Sequence, residues 1–511
     1  MPAEPPNFPA AFEAHLGGRL DEAERGYRAT LEHDPHHPDA LHLLGVVLLA
    51  RDVWIEAEAL LRRAIALRDN AHFLANLAEL LLRRRRMEEA EASCRRAIEI
   101  DPRCGLAHFC LAETLADRSQ AREAEAAYRE AIELEPRLLA ARNNLGNLLM
   151  GQNRFDEGAA MFREVLEIDG TYIHARYNLG MALLRSVRPA EAETAFRRAL
   201  AVQPDHRDAL HNLGTALKLT GRYDEAEAVY RQTLALAPDF ADARWNLAVL
   251  LLTQGRLVEG WPHAEARHAP QRSPRNVPPP AGTPQWQGEP LEGKSLVLWH
   301  EQGYGDCVQF ARYASLLKAR GVRHLTLMCP APLRPLMETL DSVDAVATHS
   351  GQIGQHDFWA YPLSLPLRFG TTLDTIPAAL PYLRALPERI ERWRAHLGAG
   401  RGLKIGLVWK GFAGNQHDAT RSLPGLAPLA PLWTVPGVTC FSLQKGQGED
   451  EAAAPPAGQP IVNLGSAIED FADTAAIIAQ LDLLIAVDTA AAHVAGALGK
   501  PCWLMLPRDW T

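Results

Sequence analysis

The sequence predicts two architectures in series: an all-helical repeat solenoid, then an α/β region of two parallel-sheet lobes. Three observations predict it. A 34-residue pattern recurs through the first half of the 511 residues, and a fixed period of that length marks stacked helix pairs. A proline-rich stretch then stops the helical period between Pro262 and Pro290. Beyond it, short apolar runs alternate with helical stretches, the pattern of parallel strands covered by helices on both faces.

Composition bounds the function. A chain of 511 residues is too long for one core. Apolar residues at 47% and charged residues at 23% are ordinary for a folded protein. A net charge of −9 argues against general nucleic-acid binding, since phosphate contacts need a basic face. The run Arg83–Arg86 is a local exception and reads as a solvated turn between helices. No apolar stretch approaches the roughly 20 residues that span a bilayer. Met1–Pro9 has neither the basic start nor the apolar run of a secretory signal. Seven cysteines, at 94, 104, 110, 307, 329, 440 and 502, form no CxxC pair. They read as small apolar residues in a reducing, cytoplasmic setting.

The repeat is visible at several positions at once. An aromatic or apolar residue precedes an arginine at Tyr27, Leu61, Cys94, Tyr128, Phe162, Phe196 and Tyr230, at spacings of 34 or 33. A small residue keeps the same period at Gly45, Ala78, Ala112, Gly146, Gly180, Gly214 and Ala248. It lets the first helix of each pair approach the second closely. Pro35, Pro102, Pro136, Pro204 and Pro238 end second helices, because proline cannot continue the hydrogen-bond ladder. Two residues before the small position stand Asn76, Asn144, Asn178, Asn212 and Asn246, with Cys110 interrupting the series. A side-chain amide both donates and accepts, so such a row can hold an extended peptide backbone of any sequence. Alternatively, each asparagine bonds within its own helix pair. The pattern resembles a tetratricopeptide-repeat array, with seven full units and a partial eighth over residues 1–268. Such arrays stack into a superhelix whose concave face binds a protein or peptide.

Residues 269–290 read as a linker, with Trp286 available to pack on the next domain. A first lobe is expected over 291–400, with strands at Ser295–His300 and Leu325–Cys329 and a helix over Asp306–Arg320. A second is expected over 401–511, with strands "KIGLVW", "VTCFSL", "LLIAV" and "PCWLML" and helices over Glu469–Leu481 and Thr489–Leu498. In such sheets, ligands bind beyond the carboxyl ends of strands.

Four segments at strand ends carry candidate chemistry. In "HEQGYGDCVQF", Gly303 and Gly305 permit close backbone approach and Asp306 starts a helix. It is neither a dinucleotide fingerprint nor a Walker loop, since position 308 is valine and no Gly-Lys-Ser/Thr comes after it. In "AVDTAAAHVAGALGKP", Asp488 and Thr489 open a helix whose free N–H groups suit a phosphate, and His493 lies one turn on. Lys410 or Arg421, in the loop "WKGFAGNQHDATRS", could neutralise a diphosphate, and Lys445 is available in "SLQKGQGED". For each segment, a helix cap or packing contact is the competing structural reading.

Taken together, "EQGYGDCVQFARY", "KIGLVWKG", "RSLP", "FSLQKG" and "DLLIAVDTAAAHVAGALGKPCWLMLP" resemble, in order and spacing, the transferase domain of bacterial tetratricopeptide-repeat glycosyltransferases. That domain is similar to the ADP-heptose:lipopolysaccharide heptosyltransferases of glycosyltransferase family 9. The resemblance implies a GT-B fold of two Rossmann-like lobes and a nucleotide-sugar co-substrate, with no metal or other cofactor. Asp306 is implied as catalytic base. Gly303, Gly305, Asp488, Thr489 and His493 are implied at the donor, with Arg421 and Lys445 as looser matches. Relatives continue beyond the "LP" strand, whereas this sequence ends at Asp509–Thr511, so the second lobe is expected to be truncated. The eukaryotic O-linked N-acetylglucosamine transferases similarly join such repeats to a transferase and use an asparagine ladder for peptides. The function expected is therefore transfer of a sugar to a protein or glycan acceptor recruited by the repeats. The alternative is an interaction scaffold whose transferase-like domain is inactive.

Overall fold

The computed structural model describes residues 7–270, 272, 282–398, 402–412, 414 and 418–506. The first six residues, most of the proline-rich run, part of the loop after Trp409 and the Asp509–Thr511 terminus lie outside the described residues. The chain divides into two compact units, Met1–Gln232 and Thr233–Thr511.

The first unit is a stack of antiparallel helix pairs, among them Pro38–Ala50 with Trp54–Leu67 and Leu139–Gly151 with Phe155–Ile168. Proline stands two residues past the last helical residue at Pro35, Pro102, Pro136 and Pro204. The small residue has a steric cause. A Cβ added at Gly146, Gly180 or Gly214 would lie 2.5–2.6 Å from the ring of Phe162, Phe196 or Tyr230. The second helix thus presses its aromatic ring onto the backbone of the first. Arg83–Arg86 falls in the turn between Ala71–Arg83 and Met87–Ile100, and its charges are paired. Arg86 reaches Glu58 at 2.8 Å, Arg83 reaches Glu79 at 2.9 Å and Arg85 reaches Asp117 at 3.1 Å.

The second unit begins with helices Ala241–Thr253 and Leu257–Ala264 and the 3-10 turn Glu265–His268. Two all-parallel sheets come next. The first comprises β1 (Ser295–Leu298), β2 (His324–Met328), β3 (Ala345–Ala347) and β4 (Phe358–Ala360), in the order β3-β2-β1-β4. The second comprises β5 (Leu403–Val408), β6 (Val438–Ser442), β7 (Val462–Asn463), β8 (Leu483–Val487) and β9 (Cys502–Met505), in the order β7-β6-β5-β8-β9. One apolar cluster runs through both, joining Leu296, Leu298 and Leu327 to Phe441, Leu484 and Ala486. No described helix is long and apolar enough to cross a membrane.

One expectation needs correction. The helix expected over Asp306–Arg320 starts earlier, at Tyr304, and is broken. Tyr304–Phe310 gives way to a 3-10 turn at Ala311–Tyr313, then to Ala314–Ala319. Its apolar face survives, with Tyr313 and Leu317 buried. In the segment before β1, Trp286 packs into the fold, as the sequence left open. Trp286 is 1% exposed, its backbone N–H donates to Trp359 O, and its indole donates to Glu289 O.

A buried polar network joins the last helical turn to the first sheet. Arg267 donates to the Glu301 carboxylate through Nε at 2.9 Å and Nη2 at 3.3 Å, and to the Ser364 hydroxyl at 2.8 Å. Glu301 also accepts from Leu363 N–H at 3.0 Å. The two charged side chains are 6% and 1% exposed. Burial this deep is sustained only because nearly every polar atom has a partner.

Candidate functional site

Each sheet reverses its strand order once, between β1 and β4 and between β5 and β8. Crevices at such reversals, at the carboxyl ends of strands, are where open α/β sheets bind ligands. The segments after β1, β5 and β8 are the ones that carry the candidate residues.

After β1, Trp299 is anchored by its N–H to Ala360 O at 2.8 Å. Gly303 is the N-cap of helix Tyr304–Phe310, so Asp306 is the third helical residue and not the cap. Its Oδ2 reaches back to accept from Gly303 N–H at 3.2 Å. Gly305 lies against the ring of His493: an added Cβ would sit 2.7 Å from Cδ2 and 3.2 Å from Nε2. Burial pushes the Asp306 carboxyl above its ordinary range. His493 and the Gly303 N–H oppose that rise, and the nearby negative charge of Asp488 adds to it.

After β8, Thr489 caps helix Ala490–Ala497 in extended conformation, and its hydroxyl donates to Val487 O at 3.2 Å. Asp488 Oδ1 is 3.7 Å from His493 Nε2, and its Oδ2 is 3.5 Å from Arg421 Nη1. These two partners, His493 foremost, hold the Asp488 carboxyl below its ordinary range. Arg421 ends the short helix Asp418–Arg421, and its buried Nε has no hydrogen-bond partner among the described residues.

The segment after β5 is fixed by residues that sequence reasoning passed over. The Gln444 side chain, 2% exposed, accepts from Trp409 N–H at 3.0 Å and Lys410 N–H at 2.9 Å. It donates to Lys410 O and Gln447 O. Asp418 accepts from the Ser422 hydroxyl at 2.6 Å, and that hydroxyl accepts from Gly411 N–H at 2.8 Å. Gln444 was hidden because a buried amide looks like any loop glutamine in a sequence. Its position just past a strand was the available signal. Lys445 is held on the Gly465 carbonyl at 3.5 Å.

The structure therefore gathers Gly305, Asp306, Arg421, Asp488 and His493 into one constellation, with Gly303 and Thr489 as the two helix caps beside it. Carboxylates of opposite tendency, one raised and one lowered, are the arrangement that separates a proton-accepting role from a permanently charged one.

Four asparagines of the ladder, Asn76, Asn144, Asn178 and Asn212, reach side chains of the repeat before. Asn76 Nδ2 is 2.8 Å from His42 Nε2, Asn144 donates to Glu113 at 2.8 Å, and Asn178 donates to Asn143 at 3.1 Å. Asn212 donates to Asp208 O at 2.8 Å and Tyr177 OH at 3.3 Å. Asn246 is half-buried in the second unit. Asn76, Asn144 and Asn178 thus tie neighbouring repeats together, and Asn212 also bonds within its own helix.

The tetratricopeptide-repeat family model matches residues 17–66, 54–103, 111–173, 177–239 and 220–271. The first ~270 residues are tetratricopeptide repeats. Protein FlbA of Caulobacter vibrioides is 30% identical over 286 residues, covering 50% of this chain and 46% of FlbA. The chain thus spans about half the length of that curated relative. Among solved structures, YrrB, a TPR protein with an unusual peptide-binding site, is 23% identical over 36% of this chain and 93% of its own, with a TM-score of 0.31. PilF of Pseudomonas aeruginosa is 23% identical over 40% of this chain and 92% of its own, with a TM-score of 0.35.

Proposed function

We propose that the chain is a glycosyltransferase that moves a sugar from a nucleotide-sugar donor to an acceptor held by the repeats. The α/β region is read as a GT-B domain similar to glycosyltransferase family 9, and the setting as the cytoplasm, where nucleotide sugars are made. The observation that carries this reading is the contact of Gly305 with His493. It brings a carboxylate of raised pKa, Asp306, beside the Asp488–Thr489–His493 helix start.

In this reading the donor's diphosphate docks at the start of helix Ala490–Ala497, where free N–H groups and the helix dipole favour negative charge. Arg421 stands beside it to stabilise the leaving group. Asp306 takes the proton from an acceptor hydroxyl. That oxygen attacks the anomeric carbon, the bond from the carbon to the diphosphate oxygen breaks, and the nucleoside diphosphate leaves with the electron pair. The repeats select a protein or glycan acceptor.

A second reading, a repeat scaffold with an inactive transferase-like domain, draws on a different observation. Two of the cations available to a diphosphate are already held by carboxylates, Lys410 by Glu451 at 2.7 Å and Arg421 by Asp488 at 3.5 Å. A thermal-shift screen of the full chain against nucleoside diphosphates and nucleotide sugars separates the two. A ligand at 100 times its Kd adds about 2.7 kcal/mol of stability. The transferase reading expects such a shift, reduced in Asp488→Ala. No shift with any nucleotide supports the scaffold and overturns the transferase.

A further inference from the structure

The repeats share a charge device that one of them lacks. Glu24, Glu58, Glu91, Glu125, Glu193 and Glu227 each stand four residues before the periodic arginine, at Arg28, Arg62, Arg95, Arg129, Arg197 and Arg231. Their side chains are only 8–19% exposed, and each pairs with the arginine of its own helix. Five of them also bind an arginine from the next repeat: Arg51, Arg86, Arg118, Arg154 and Arg222. In the repeat formed by Leu139–Gly151 and Phe155–Ile168, the corresponding residue is Ala159, fully buried. Arg163 and Arg188 lose the shared carboxylate. Arg163 reaches only as near as 3.9 Å to Glu191, which Arg188 already binds at 2.7 Å.

More positive charge lies beside this gap. Arg142 faces Glu164 at 3.3 Å. One period on, the corresponding residues are Arg176 and Arg198. In place of a carboxylate, Arg176 Nη1 meets the Arg198 backbone carbonyl, to which it donates at 2.8 Å. One negative charge is thus missing from a column that is otherwise glutamate, and the neighbouring Arg176 has a carbonyl where Arg142 has a carboxylate. Arg163, Arg176 and Arg198 line a cavity of about 340 Å³, with Leu166, Leu179 and Leu183 on its wall and Glu191 as the one lining carboxylate.

We propose that this cavity is a docking site for an acidic, aliphatic peptide segment of a partner protein. A glutamate or aspartate carboxylate sits between Arg163 and Arg198, and a neighbouring leucine or isoleucine lies on the leucine wall. The guanidinium fork matches a carboxylate with two parallel hydrogen bonds. A bare inorganic anion would satisfy the arginines but leave the leucines wet. The proposal rests on the repeats alone and stands or falls independently of the transferase reading.

Fluorescence anisotropy of the full chain with a labelled peptide of alternating leucine and glutamate tests it, with glutamine replacing glutamate as control. The glutamate peptide is expected to bind at least tenfold tighter than the glutamine peptide, with affinity falling as salt rises. Arg198→Glu and Ala159→Glu should each weaken binding at least tenfold. Ala159→Glu restores the residue of the other repeats, and Arg198 is exposed, so unchanged melting of either variant separates loss of charge from loss of fold. Equal binding of the two peptides overturns the proposal. So does parental affinity in a folded Arg198→Glu variant, or displacement of the peptide by inorganic phosphate as effectively as by unlabelled peptide.

Discussion

Gly305→Ala tests whether the contact between Gly305 and His493 organises the candidate site. The added Cβ would lie 2.7 Å from His493 Cδ2. Carbon–carbon contacts settle near ~3.5–4.0 Å, so the ring must retreat by roughly an ångström. Overpacking of this kind costs about 1–3 kcal/mol. His493 Nε2 starts 3.7 Å from Asp488 Oδ1, so a retreat of that size removes the main influence that depresses the Asp488 carboxyl. The pKa of Asp488 should then rise toward the ordinary aspartate value of about 3.9. A group with a depressed folded pKa contributes stability above its unfolded pKa and loses it as pH falls through the folded value. The parent should therefore lose more stability than Gly305→Ala on acidification below about pH 4. Carboxyl NMR titration of Asp488 and denaturation on either side of that pH measure both quantities. Gly303→Ala is the control, because a Cβ there meets nothing closer than the flexible Asp306 carboxylate at 3.6 Å. If Gly305→Ala leaves the Asp488 titration unchanged, the ring is not positioned by the glycine and the reasoning fails.

Glu301→Ala should destabilise the second unit by about 3 kcal/mol, because it strands the buried Arg267 cation. Replacing both residues, as Glu301→Leu with Arg267→Met, should recover most of that loss; denaturation followed by the buried Trp286, Trp299, Trp393 and Trp409 reads it. Asn178→Ala removes the donor to Asn143, which is 7% exposed, and should lower the stability of the first unit by about 1–2 kcal/mol. A loss of peptide affinity without that destabilisation would support the groove reading of the ladder. If Asp306 is the base, the transfer rate should fall on the acid side with an apparent pKa above the ordinary aspartate value, since burial raises it, and Asp306→Asn should abolish turnover.

The helical half was legible because its signals repeat: one misplaced residue is outvoted by the others in the same column. In the α/β half, β8 spans Leu483–Val487 as expected, since a fully buried parallel strand is a continuous apolar run. The helix at 304–319 was harder. Its apolar period is nearly the same in α and 3-10 geometry, so the tightening at Ala311–Tyr313 leaves no mark in the pattern. The start of that helix was missed because glycine was read only for its freedom, while Gly303 is also its cap. Thr489 and His493 were legible as one turn apart through helix periodicity. The approach of Gly305 to His493 and of Arg267 to Glu301 depends on how distant elements pack, which no local spacing encodes.

The exchange of a small residue in one helix for a ring in the next bears on how such an array can grow or shrink. Gly180 and Phe196 fit because the volume missing from one is filled by the other, and Ala78 with Cys94 is a different division of the same space. The two members of a pair lie within one unit, sixteen residues apart. A duplication or loss whose ends fall just after the proline carries both members together and leaves every other pair intact. An exchange whose end falls between the two helices would recombine these halves, for example a cysteine opposite a glycine, which leaves the space between them unfilled; Ala112 with Tyr128 is a recombination that this array does accommodate. The inherited module is therefore the helix pair closed by its proline. Gene-level shuffling inside that pair costs packing wherever the two volumes fail to add up, while a change such as Ala159, which leaves the ring and its glycine in place, is free to accumulate.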